Sequence, residues 1–197
     1  MQTLKSKPGE TDYLWSAKRS GMWLVLLLSL LNIAAFAQHP ISKEYQVKAV
    51  FLYNFTQFVQ WPTSAFPSED FPMIIGILGV DPFGSYIDDL TKGELVGTHP
   101  VTVVRYRSAQ EISECHILYV NLKDKDGIRR ALADLKVKPV LTVSDADSFT
   151  RNGGIIKFMN EFGRIRLQIN TDIATGAELV ISSKLLRLSE IVSGKNN

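Results

Sequence analysis

Cys115 and His116 are adjacent, and a thiol beside an imidazole is the smallest kit for nucleophilic catalysis. They precede or open the apolar run His116–Val120, which reads as a strand, and neighbouring strand side chains point to opposite faces. The pair is therefore split, and Cys115 is expected to be a small buried apolar residue. Asp145 and Asp147 follow the short strand Val140–Val143, at the carboxyl end where α/β proteins often place reacting groups. Two carboxylates there would suit a hydrolase, but Ser144 adds no base, and the expected use is capping of the next turn. Gly76, Gly79 and Gly84 resemble a phosphate loop; their spacing is not G-x-G-x-x-G and no G-K-[ST] follows. Asp81-Pro82 instead reads as a helix entry with Asp81 as N-cap. His39 and His99 show no ligand spacing, and neither H-e-x-x-H nor G-x-S-x-G occurs. No catalytic residue, metal ligand or cofactor is expected, and the chain is not expected to be an enzyme.

Three cations gather differently. Ile155–Asn160 and Arg164–Asn170 are β-like runs joined through Glu161-Phe162-Gly163, a hairpin signal. With Glu161-Phe162 as the two-residue loop, Asn160 pairs with Gly163 and Lys157 lies opposite Arg166. Arg164, Arg166, Gln168 and Lys157 then share a face, while Ile165, Leu167 and Ile169 turn to the core. Such a face receives a carboxylate or phosphate, or is a solvated surface whose cations pair with acids elsewhere.

These residues need a frame. A helix is expected from about Lys43 to Gln60, stopped before Pro62. Buried strands follow at Met73–Gly79, His116–Val120 and Val140–Val143, with an alternating one at Val101–Tyr106. Helices are expected near Phe83–Leu90, over Ala109–Ile112 and Asp126–Leu135, briefly at Ile173–Thr175, and from Lys184 to Ile191. This pattern predicts an α/β single domain, with a mainly parallel central sheet flanked by helices and a C-terminal antiparallel hairpin at its edge.

The opening helix carries more apolar surface than one core stripe needs. Val47, Phe51, Phe55 and Phe58 form a stripe at helical spacing, and Tyr45, Ala49, Leu52, Tyr53 and Val59 widen it well past about 100°. Either its own domain buries it on most sides, or Tyr45, Leu52, Tyr53 and Val59 face a partner or dimer mate.

Composition narrows the function. The 197 residues include 22 Lys+Arg, 20 Asp+Glu and one Cys, which excludes an internal disulfide framework and a four-thiolate cluster. Lys18 and Arg19 precede the uncharged run from Met22, which ends in Ala35-Phe36-Ala37, the small-residue exit of a secretory signal. About 15 apolar residues fall short of a membrane span. Residues 1–37 are expected to be a signal peptide cleaved after Ala37, leaving 38–197 as one exported domain in the periplasm. That domain holds 18 basic and 18 acidic residues, so no nucleic-acid partner is expected.

Seven stretches, in order, carry a resemblance: Glu44–Pro62, Ile75–Gly84, Cys115–Tyr119, Val140–Asp145, Gly153–Phe158, Gly163–Asn170 and Ile181–Leu188. The chain resembles the YfiR-type periplasmic repressor family over about residues 43–192. The resemblance implies a non-catalytic regulator that binds the periplasmic sensor domain of an inner-membrane diguanylate cyclase. It would thereby lower cyclic-di-GMP output and biofilm formation. It also implies a homodimer, and a small anionic or aromatic ligand near Arg164 and Arg166. The family's type uses disulfides for redox control; with Cys115 alone, that mechanism does not transfer. The competing reading is a periplasmic carrier or sensor in which Arg164, Arg166 and Lys157 hold an anionic or aromatic metabolite for another membrane sensor.

Overall fold

A computed structural model of the chain describes residues 41–135 and 138–193. The expected signal segment and His39 lie outside the described residues. The described residues open with helix α1 (Lys43–Phe58), which the Ser42 side chain caps by accepting from the Tyr45 N–H. Ten strands follow among the described residues: β1 (Val59–Gln60), β2 (Met73–Gly79), β3 (Leu95–Val96), β4 (His99–Tyr106), β5 (Ile117–Asn121), β6 (Leu141–Ser144), β7 (Ile156–Glu161), β8 (Arg164–Asn170), β9 (Val180–Ile181) and β10 (Ser189–Val192). The further α-helices are α2 (Ser85–Thr91), α3 (Lys125–Leu135), α4 (Thr171–Gly176) and α5 (Ser183–Leu186).

Eight strands form one sheet in the order β10-β8-β7-β6-β5-β2-β4-β3, and β1 pairs with β9 in a separate two-stranded ribbon. β4, β2, β5, β6 and β7 run parallel, while β8 returns antiparallel to β7. The expected architecture stands. Alternation in the strands divides the core: Ile75, Ile77, Ile117 and Tyr119 pack with Leu52 and Phe55 of α1 and Ile87 of α2. Ile74, Leu78, Leu118 and Val120 pack with Ile128, Leu132 and Leu135 of α3 on the other face. Both faces are covered, which is why these strands read as continuous apolar runs.

Several element expectations need correction. The expected helix over Lys184–Ile191 is one turn, α5, followed by strand β10, which pairs with β8 in parallel. The opening helix ends at Phe58, because Val59 and Gln60 turn into β1 opposite Ile181 and Val180. Ala109–Glu111 is a 3-10 turn. Asp81 accepts from the N–H groups of Phe83 and Gly84 ahead of α2, so its turn precedes the helix, and Gly84 holds the cap position instead.

Candidate functional site

The hairpin register departs from expectation by moving the turn one residue along. Glu161 pairs with Arg164, so the two-residue turn is Phe162-Gly163, and Lys157 stands opposite Gln168 rather than Arg166. Both turn residues have positive φ, +52° and +78°, as a right-twisted hairpin with a two-residue loop requires. Glycine meets that demand without strain, which pulls Gly163 into the turn. Cross-strand pairs still place Lys157, Arg164, Arg166 and Gln168 on one face, now with Glu161 among them. The cations are not left alone: Lys157 lies 3.6 Å from Asp147 and Arg166 lies 3.7 Å from Glu161.

β10 completes the surroundings of Arg166. A groove of about 370 Å³ runs between the hairpin and β10, bounded by Met159, Glu161, Arg166, Arg187 and Leu188. Local sequence spacing does not single out Arg187, which reaches this groove only because the chain leaves α5 for β10. Lys157 and Arg164 do not line this groove as described.

Helix α1 is rotated relative to the expected stripe. Tyr45, Lys48, Ala49, Leu52, Phe55 and Thr56 face inward, and Val59 just beyond continues that row. Leu52 is fully buried and Val59 nearly so, both in the domain's own core, so neither presents a surface to another chain. Tyr45 and Tyr53 are half-buried: the Tyr45 hydroxyl donates to Asp145 at 3.5 Å, and the Tyr53 hydroxyl to Glu94 at 2.6 Å. Val47, expected in the core, is 44% exposed, and Val50 is also exposed. With Phe51, Asn54 and Tyr86 of α2 they line a shallow groove of about 250 Å³.

The orientation that buries Ala49, Leu52 and Phe55 also buries Lys48. A lysine is expected in water, yet this one is buried, with Nζ 2.6 Å from Glu44 and 2.7 Å from Asp145. Burial by itself would push the ammonium's pKa down; hydrogen bonds to Asp145 and Glu44 outweigh that and hold it above the ordinary value. Conversely, the Lys48 contact holds the Glu44 carboxyl below its usual range. Tyr119 lies beneath, its hydroxyl buried without a hydrogen-bond partner, and burial raises its pKa far above that of free tyrosine. Asp145 thus serves an ion pair, and Asp147 neutralises Lys157; the two carboxylates do not converge on a common point as a hydrolytic pair would. The i,i+4 spacing of Glu44 and Lys48 was a legible signal of the first contact.

The remaining candidates are structural. Cys115 donates to the Ile117 carbonyl, and burial pushes its thiol up to about 12. His116 instead meets the Ile74 N–H at 3.0 Å and the Ala65 carbonyl at 3.0 Å, so thiol and imidazole have separate partners. A Cβ at Gly79 would sit 2.4 Å from the Asn121 carbonyl oxygen, so this glycine serves close strand-end packing rather than a phosphate. His99 holds the Phe71 carbonyl at 2.7 Å and stacks on Phe66. Among the described residues, no group of three or more His, Cys, Asp or Glu side chains is placed to hold a metal ion.

This frame, from the first turn of α1 to β10, coincides with a family match: residues 45–190 fit the family described as YfiR/HmsC-like. The chain belongs to the YfiR/HmsC-like family. No individually curated protein matches it. The YfiR/HmsC-like family is one of periplasmic regulators of diguanylate cyclases, regulatory rather than catalytic. Among the chain's described residues, no helix is long and apolar enough to cross a membrane.

Proposed function

We propose that this YfiR/HmsC-like chain is an exported repressor. After cleavage behind Ala37, the domain from Gln38 binds the periplasmic sensor domain of an inner-membrane diguanylate cyclase. It thereby lowers cyclic-di-GMP output and biofilm formation. The supporting observation is the outer row of α1: Val47 and Val50 are exposed beside Phe51, and the only other contributors to that groove are Gln46, Asn54 and Tyr86, without a charge. An uncharged groove between two helices suits an apolar segment of a partner. The same row would serve a homodimer, so self-association and sensor binding compete for it. Val47→Asp tests this: the folded variant should fail to bind the purified sensor domain and fail to lower cyclic-di-GMP in cells. Full repression by a folded Val47→Asp protein overturns the assignment of this face.

A second reading has its own observation. Arg166 and Arg187 both line the groove beside β10, with Met159 and Leu188 as apolar walls. That combination suits a small anionic or aromatic metabolite, with Arg164 adding charge from the same hairpin face outside the groove and Lys157 held by Asp147. A thermal-shift screen against such metabolites, repeated with Arg166→Ala, tests it. Stabilisation that persists in the variant removes Arg166 from the site.

A further inference from the structure

Phe162 is out of place by two independent standards. It is 106% exposed, the most exposed large hydrophobic side chain among the described residues. It also holds φ of +52° at the first position of the hairpin turn, where asparagine, aspartate or glycine fits and a bulky aromatic is strained. An Asn-Gly turn would fold this hairpin more cheaply and more solubly. The strained aromatic therefore costs the fold stability without returning any contact inside it.

The turn backbone is also tethered. Gly163 N–H donates to the Asn160 side-chain oxygen at 3.1 Å, and the Asn160 amide donates to Glu44 at 2.9 Å. Glu44 is itself bound to buried Lys48. The backbone of the tip is thus tied to α1 through side chains on both elements, so the turn itself has less freedom left to lose on binding. Glu161 and Arg164 flank the turn and Arg166 follows on the same face, while Arg187, Glu190 and Leu188, which is 73% exposed, line the groove beside β10 further along the hairpin. Glu190 is engaged by Gln168.

We propose that the hairpin tip, with Phe162 as anchor, docks into an apolar pocket with an acidic rim on a partner protein. A single fully exposed aromatic on a tethered turn, flanked by charged side chains, has the anatomy of a protein–protein hot spot. A bilayer surface suits the tip less well: membrane affinity scales with buried apolar area, and the tip offers one ring. The proposal rests on the repressor reading, in which the chain works by holding a protein, and adds a second contact remote in sequence from the outer row of α1.

The probe is the purified periplasmic domain of a diguanylate cyclase from the same organism, titrated against the mature protein. Phe162→Ala should weaken binding by about tenfold or more, and Phe162→Trp should keep it within about threefold. Phe162→Asn should weaken binding equally while raising the melting temperature, because it relieves the left-handed strain. Undiminished binding by Phe162→Ala, or a lower melting temperature in Phe162→Asn, overturns the proposal and leaves the repressor reading standing. Absence of any binding by the unaltered protein removes both. Cosedimentation with phosphatidylglycerol vesicles is the remaining arm: binding there that depends on Phe162, with sensor binding unaffected, assigns the tip to the bilayer and overturns the proposal.

Discussion

Lys48 Nζ lies 2.7 Å from Asp145 Oδ2, joining two residues 97 positions apart in the chain. The contact fastens the first turns of α1 to the residue that follows β6, beside the carboxyl ends of the central strands. It explains how a helix with a lysine on its inner face packs against an apolar sheet. Glu44 closes the charge balance from the same helix. Removing the cation alone should be costly. Lys48→Met is expected to destabilise the protein, by less than the about 3–5 kcal/mol typical of a broken buried pair, because Asp145 and Glu44 retain water contact. Urea unfolding measures this, and adding Asp145→Asn to Lys48→Met should recover part of the loss.

Acid should weaken the fold through His116. Its Nδ1 accepts from the Ile74 N–H, so Nε2 carries the proton donated to Ala65 O, and both nitrogens are committed in the neutral ring. Burial lowers its pKa from 6.5 to about 4. A base depressed in the folded state binds its proton in the unfolded chain first. Stability is therefore full above pH 6.5 and falls as pH drops toward 4, by about 3 kcal/mol in all. Glu44 adds to the loss only below its ordinary value of 4.5, since its pKa is lowered by Lys48. Denaturant midpoints measured between pH 7 and 4 should show this slope, and His116→Gln should flatten it between pH 6.5 and 4.5 at lower overall stability.

The two sides of α1 should respond oppositely to substitution. Leu52→Ala removes a fully buried side chain from the core and is expected to cost about 2–5 kcal/mol. Leu52→Glu should prevent folding. Val47→Asp, on the exposed side, should stay within about 0.5 kcal/mol of the parent. Circular dichroism melts of the three variants decide the orientation of the helix.

Gly154 should tolerate no side chain. A Cβ there would stand 2.2 Å from the ring of Phe149, which is itself buried against the α3 side of the sheet. Gly154→Ala is expected to cost about 1–3 kcal/mol by overpacking. Pairing it with Phe149→Leu should return part of that loss.

Much of this was legible in the sequence. Continuous apolar runs at 73–79, 116–120 and 140–143 specified buried parallel strands, since only strands covered on both faces lack a polar alternate. Parity on β7 and β8 fixed which hairpin residues share a face, and it survived the change of register because the pairing moved by an even step. The ordered motifs from Glu44 to Leu188 carried the family, which the match over 45–190 bears out.

What tertiary structure alone decided is where charge and short segments go. Periodicity treats lysine as a solvent-facing residue, and nothing near Lys48 announces Asp145 as its partner; with that pair made, Lys48 sits on the same inward side of α1 as Leu52, while Val59 is buried in β1 beside Ile181. Strands of two to four residues such as β1, β9 and β10 have no period to read, and they exist because a neighbour offers unpaired backbone groups at the right edge. β10 in turn brought Arg187 beside Arg166, 21 positions earlier in the chain, in a groove that no local pattern encodes. Local spacing determines what each segment can become; the pairing of distant charges and edges requires the assembled chain, because the energy that fixes it is shared between residues far apart in sequence.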